Sequence, residues 1–119
     1  MKLGGELGIP VQAALNAEEA LENADIVITA TDSKASVFDG SQLNAGTHVT
    51  SIANGDKTRK RQEIDETAIR RADAIFVTSK ETVCVNESDI FRAVRDQVIN
   101  WDQVHEISSL LLGRSCRPH

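Results

Sequence analysis

Ala24-Asp25-Ile26-Val27-Ile28-Thr29-Ala30-Thr31-Asp32-Ser33-Lys34 is the stretch whose reading decides the fold. Three consecutive β-branched apolar residues cannot alternate between a core and water. Ile26, Val27 and Ile28 therefore read as a strand covered on both faces, as in the parallel sheets of α/β folds. The run breaks off into small and hydroxylic residues, Thr29 to Ser33. At the carboxyl end of such a strand, backbone and hydroxyl groups can approach a ligand closely, and doubly wound folds seat their ligands there. An ordinary loop after a buried strand is the plainer alternative. The preceding helix is equally legible: Asn16 caps it with Glu19 three residues on, and Ala17, Ala20, Leu21 and Ala24 form its apolar face.

Outward from this stretch, the same pattern returns. Glu63 to Ala72 has the spacing of a helix, with Ile64, Ala68 and Ile69 turned inward and Arg70 and Arg71 near its C-terminus. It runs into Asp73-Ala74-Ile75-Phe76-Val77-Thr78-Ser79, a second Ala-Asp boundary, apolar run and hydroxylic exit. Between them Thr47 to Ile52 reads as another strand, ending in Ala53-Asn54-Gly55-Asp56. Strands near 26–30, 47–52 and 73–78, with long crossovers, imply right-handed βαβ connections in one parallel sheet. Val11 to Ala14 is a candidate extra strand. The fold class is α/β, with a three- to four-stranded, mostly parallel sheet and flanking helices. Val83 to Val98 is partly helical by its apolar spacing, and Asn100 caps a further helix over Trp101 to Leu112, stopped by Gly113. Residues 1–114 form this one unit and 115–119 a frayed tail.

Bulk properties narrow the function. A net charge of −5 and a pI near 5.1 disfavour nucleic acid and anionic membranes as partners. With three Phe, one Trp and no Tyr, the core must be built from Ile, Val, Leu and Ala. No apolar run approaches the ~20 residues that cross a bilayer, so a cytoplasmic setting is expected. Cys84 and Cys116 are far apart, without metal-ligand spacing, and read as thiols. Gly4, Gly5 and Gly8 fit neither the spacing nor the context of a dinucleotide-binding glycine loop. The basic run Lys57 to Arg61 reads as a solvated loop, and His48 as a half-exposed polar residue at a strand start.

Four segments, AEEALENADIVITATDSK, DGSQLNAGTHVTSIANGD, EIDETAIRRADAIFVTSKE and VINWDQVHEISSLLLGR, resemble in order and spacing the ornithine cyclodeaminase and μ-crystallin family. The likeness runs over roughly residues 3 to 114 and falls on the second half of that family's nucleotide-binding domain, which implies a partial Rossmann-like domain. It implies imine chemistry with NAD or NADP: cyclodeamination of ornithine, ketimine reduction or amino-acid dehydrogenation. It also implies a cofactor surface made by Thr29, Ala30, Thr31 and Ser33, with Ser51 and Asn54 near the nicotinamide. Asp56 matches the acidic residue that handles a proton there, as a general base or by stabilising an iminium.

Within these 119 residues the glycine loop, the acidic residue for the adenine ribose and the substrate-binding domain of the family have no counterpart. Cofactor binding is therefore expected to be weak or absent, and catalysis absent, in the chain alone. In the Rossmann strand order the strand at 26–30 would border the family's first strand. Its edge is then open, and a homo-oligomer pairing through that edge is expected. Two readings follow: part of a nucleotide-dependent imine enzyme, or a non-enzymatic, self-associating α/β module.

Overall fold

The structure is a computed structural model and describes residues 2–52 and 61–112. Asn54, Asp56, most of the basic run, Gly113, Cys116 and the 115–119 tail lie outside the described residues. The architecture is α/β with short parallel sheets and flanking helices. Helix α1 (Lys2–Leu7) comes first, and α2 (Ala17–Leu21) leads into strand β1 (Ile26–Thr29). Strand β2 (His48–Ser51) follows, then α3 (Glu66–Arg71), β3 (Ile75–Val77), α4 (Lys80–Val85) and α5 (Asp89–Arg95). Strand β4 (Val104–Glu106) and helix α6 (Ile107–Leu111) close the described order.

Side-chain caps decide where the helices begin. The Asn16 carboxamide oxygen accepts the Glu19 amide at 2.8 Å, and Glu19 reaches back to the Leu15 amide at 2.7 Å. Ser79 and Ser88 cap α4 and α5 in the same way. Glu87 between those two helices has a φ of 47°, a left-handed turn that splits the 83–98 stretch in two. Asp65, rather than a residue before Glu63, caps α3 by accepting the Ala68 amide at 2.9 Å. Residues 63–65 consequently lie outside the helix.

Both sheets are parallel. β1 pairs with β2 in the register Ile26 to His48 through Thr29 to Ser51. The hydrogen-bonded partner of β3 is β4, Ile75 facing Val104 and Val77 facing Glu106. Two corrections follow. The expected ladder across 26–30, 47–52 and 73–78 is divided into two strand pairs, and β4 lies inside the stretch read as the helix 101–112. Asn100 and Gln103 close a capping box around a single 3₁₀ turn, Trp101–Gln103, after which Val104 enters the core at 1% exposure. That burial favours an extended segment next to β3 over a continued helix. Residues 11–14 form no strand.

Two apolar clusters make the core. One joins Leu21, Phe38 and Ala68 beneath β1 and β2; the other joins Ile69, Ala93, Ile99 and Val104 beneath β3 and β4. Ile64 packs against both. The covered strand expected at 26–28 is corrected too: Val27 turns towards the core, whereas Ile26 and Ile28 are 66% and 68% exposed. Alternate residues of a strand face opposite sides, and the described residues cover one side of β1 only.

Gly40 fixes the contact between the 3₁₀ turn Gly40–Gln42 and α3. A Cβ there would stand 2.3 Å from the Ala68 amide nitrogen and 2.5 Å from an Asp65 carboxylate oxygen. The Gly40 amide donates to Asp65 at 3.0 Å, and its carbonyl accepts from the Arg71 guanidinium at 2.6 Å. A methyl group here collides with backbone that cannot yield. Gly40→Ala is expected to lower unfolding free energy by about 1–3 kcal/mol in urea titrations. A change below about 0.5 kcal/mol, the usual range for surface substitutions, would contradict this packing.

Candidate functional site

The carboxyl ends of β1 and β2 lie side by side, which brings the Thr29–Ser33 loop next to Ser51, while the candidates Asn54 and Asp56 lie outside the described residues. The ladder continues past β1, since the Ile52 amide donates to the Thr29 carbonyl at 3.1 Å. Thr29 is buried, its hydroxyl 3.5 Å from the Thr50 carbonyl that accepts it. Ala30 and Thr31 are exposed residues directly beyond β1. The following turn is wound on its own side chains. The Ser33 amide donates to the Thr31 hydroxyl oxygen at 3.2 Å, and the Ser33 hydroxyl donates to the Ala35 carbonyl at 2.6 Å. Several hydroxyls expected to face a ligand thus also serve to shape the loop.

Beyond the ladder, the two strand ends are also joined by a residue that the sequence placed in a helix. Glu63 has no exposed surface. One of its carboxylate oxygens accepts the Thr31 amide at 2.6 Å, and the other accepts the Ser51 hydroxyl at 2.8 Å. Its own backbone is gripped from behind. The Glu63 and Ile64 amides both donate to one Asp89 oxygen, at 3.1 and 3.2 Å. The second Asp89 oxygen pairs with Arg92 at 2.5 Å, and Arg92 also donates to the Arg61 and Glu87 carbonyls at 2.6 Å each. Segment 61–64 further receives the Val37 amide on the Glu63 carbonyl at 3.0 Å and gives the Gln62 amide to the Ser33 carbonyl at 2.8 Å.

Opposing forces act on the Glu63 carboxyl. Burial, the largest single influence, pushes its pKa up; the Ser51 hydroxyl, the Thr31 amide and the Thr31 and Thr29 hydroxyls together outweigh it. The result lies below the ordinary carboxylate value, so Glu63 is a buried anion at neutral pH. Sequence reasoning missed both Glu63 and Asp89. The available signal was Asp65: it is the better helix cap, and choosing it frees Glu63 two residues upstream to turn inward.

Other candidates do not join this site. His48 is exposed, its Nε2 3.0 Å from the Thr50 hydroxyl. Two surface hollows, of about 300 and 600 Å³, lie near Trp101 and beside α2. No group of His, Cys, Asp and Glu among the described residues could hold a metal ion, and no described helix is long and apolar enough to cross a membrane. Cys84 is a free, exposed thiol.

An α/β unit with parallel strand pairs and flanking helices has a partial Rossmann-like architecture. The comparisons narrow this class. The chain belongs to the ornithine cyclodeaminase/mu-crystallin family, whose model matches residues 2–114. It is 29% identical over 109 residues to a Δ1-pyrroline-2-carboxylate reductase of Bacillus cereus, covering 91% of this chain and 33% of that protein. The structure of the Thermococcus litoralis Δ1-pyrroline-2-carboxylate reductase in complex with NADH and L-proline superposes with a TM-score of 0.85 at 28% identity, over 99% of this chain and 36% of that one. A probable ornithine cyclodeaminase from Bordetella pertussis gives 0.83 at 32% identity, over 99% and 37%. The chain thus spans about a third of the length of these relatives.

The depressed pKa of Glu63 makes a prediction with a definite sign. Its contribution to stability is complete above the ordinary carboxylate value and is lost as pH falls through the lower folded value. Melting curves from pH 7 down to about pH 3 should show the parent losing stability relative to Glu63→Gln, which cannot titrate. A parent–variant difference that stays constant over this range would contradict a buried Glu63 anion.

Proposed function

We propose that this chain forms part of the cofactor surface of an NAD(P)-dependent enzyme acting on imines of amino acids, and that the 119 residues alone do not complete the reaction. The observation that carries the reading is the convergence of the Thr29–Ser33 loop and Ser51 on one edge of a parallel strand pair. The exposed residues Ala30 and Thr31, with their small side chains, suit the close approach of a flat ring or a ribose. A dinucleotide bound there would supply hydride chemistry. The chain's part is to seat it through Thr29, Ala30, Thr31, Ser33, Ser51 and Asn54, and to handle a proton with Asp56. In the sequence Asp56 comes five residues after the end of β2 and directly after Gly55. The family membership and the NADH and proline of the Thermococcus litoralis complex support the substrate class. A cytoplasmic setting belongs to the same reading.

The limit on activity is geometric. Reacting atoms must be held about 3–3.5 Å apart and aligned. These residues contain no Gly-x-Gly-x-x-Gly turn to anchor a pyrophosphate. Mixing the chain with NADH or NADPH and a cyclic ketimine, or with NAD+ and ornithine, should leave the nicotinamide absorbance unchanged. Turnover that disappears in Asp56→Asn would overturn the proposed inactivity and establish Asp56 as catalytic.

One observation favours a second reading alongside the first. Among the described strands β1 is bonded along one edge only, and its face bearing Ile26 and Ile28 is uncovered as well. Unpaired edges with apolar neighbours invite another strand. We infer that a second copy covers this edge. Light scattering at high micromolar concentration should give at least the dimer mass, and Ile28→Lys should return the monomer. A monomer mass for the parent would refute self-association.

A further inference from the structure

The loop proposed to face the cofactor is not held by β1 alone. Beyond Thr29 the chain leaves the ladder, and the Thr31 amide finds its acceptor on Glu63, 32 residues away. The same carboxylate takes the Ser51 hydroxyl from the end of β2. Within the turn the Thr31 hydroxyl oxygen accepts the Ser33 amide and the Ser33 hydroxyl donates to the Ala35 carbonyl, so the link across to Ser51 comes from Glu63, which the Thr31 hydroxyl also meets. Glu63 is itself fixed at the main chain by Asp89, so its carboxylate is presented from a rigid support.

We propose that Glu63 is the positioning residue of the cofactor edge: by bonding the Thr31 amide and the Ser51 hydroxyl at once, it sets the separation and orientation of the two strand ends that a nicotinamide nucleotide would meet. This rests on the cofactor reading given above. The role requires an acceptor aimed at Thr31 and a polar group facing Ser51; it does not require a charge. A glutamine meets both needs, with its carbonyl oxygen towards the Thr31 amide and its amide group donating to the Ser51 hydroxyl, which can turn to accept. Methionine fills similar volume and offers neither. Charge, volume and hydrogen bonding can therefore be separated by three variants.

The test compares the parent chain with Glu63→Gln, Glu63→Ala and Glu63→Met by residue-resolved amide exchange and by NMR titration with millimolar NADH. In the Ala and Met variants the Thr31 amide should exchange at least about tenfold faster while α5 amides keep their rates. The NADH-induced shifts at 29–33 should weaken by a similar factor, the size expected for a lost hydrogen bond to a charged group. Glu63→Gln should retain most of both. If the Ala variant fails to fold, the Met variant supplies the comparison, because it keeps the side-chain volume. Exchange that accelerates equally through 29–33 and α5, or a Gln variant as impaired as Met, would overturn the positioning role. So would NADH shifts that persist unchanged in Ala and Met. A parent chain with no NADH-induced shift at 29–33 overturns instead the reading of this edge as a cofactor surface. The effect on Thr31 exchange would then show whether Glu63 still joins the strand ends.

Discussion

A carboxylate without access to water must be met by donors, and the Glu63 carboxylate is met by donors from both strand ends. Much of the described structure follows from satisfying that one group. Thr31 must present its amide, so the chain beyond β1 turns towards segment 61–64 rather than away from it. Ser51 must present its hydroxyl, which fixes the end of β2. Asp89 holds the segment from the other side through two main-chain amides, and Arg92 neutralises Asp89 while tying down the Arg61 and Glu87 carbonyls. Removing one partner of such a buried charged network leaves the others unsatisfied, which costs more than the net worth of any single bond.

Segment 61–65 therefore acts as the mechanical joint of the molecule. Glu63 faces the β1–β2 pair, Ile64 packs into both apolar clusters, and Asp65 caps α3 while accepting the Gly40 amide. The two strand pairs share no hydrogen-bonded ladder, so this joint and the α3–α5 packing carry the coupling between them. The proposed function falls at the same point. The edge proposed to meet a nucleotide is shaped by groups whose anchors lie in the other half of the chain.

Much of this was legible in the sequence, for physical reasons that differ from element to element. The Ala-Asp boundary, apolar run and hydroxylic exit identified β1 and β3 and the parallel class, because burial and strand termination leave compositional marks. Asn16 with Glu19 marked α2 through capping chemistry. Thr29 and Ser51 end the paired strands β1 and β2, where the hydroxylic exits of the two apolar runs had suggested strand termination, and Thr31 and Ser33 lie in the loop beyond β1. β4 was not legible: three residues are too few to show a period of two, and its partner lies 29 residues upstream. The exposure of Ile26 and Ile28 was not legible either, since a β-branched run records the environment of a complete sheet, whereas these residues cover one face of β1. Glu63 was hidden by competition between two acidic residues for the start of α3. The cap geometry at Asp65 decides it.

The central claim is that segment 61–65 joins the two halves into one cooperative unit. The single Trp101 packs against the cluster beneath β3 and β4, while the Val27 and Val49 amides report on the β1–β2 pair. Urea unfolding followed simultaneously by Trp101 fluorescence and by the Val27 and Val49 amide signals tests this directly. The account predicts one transition, with the same midpoint and slope from both probes. Loss of the β1–β2 signals at a lower urea concentration than the Trp101 transition would show two independent halves and contradict it.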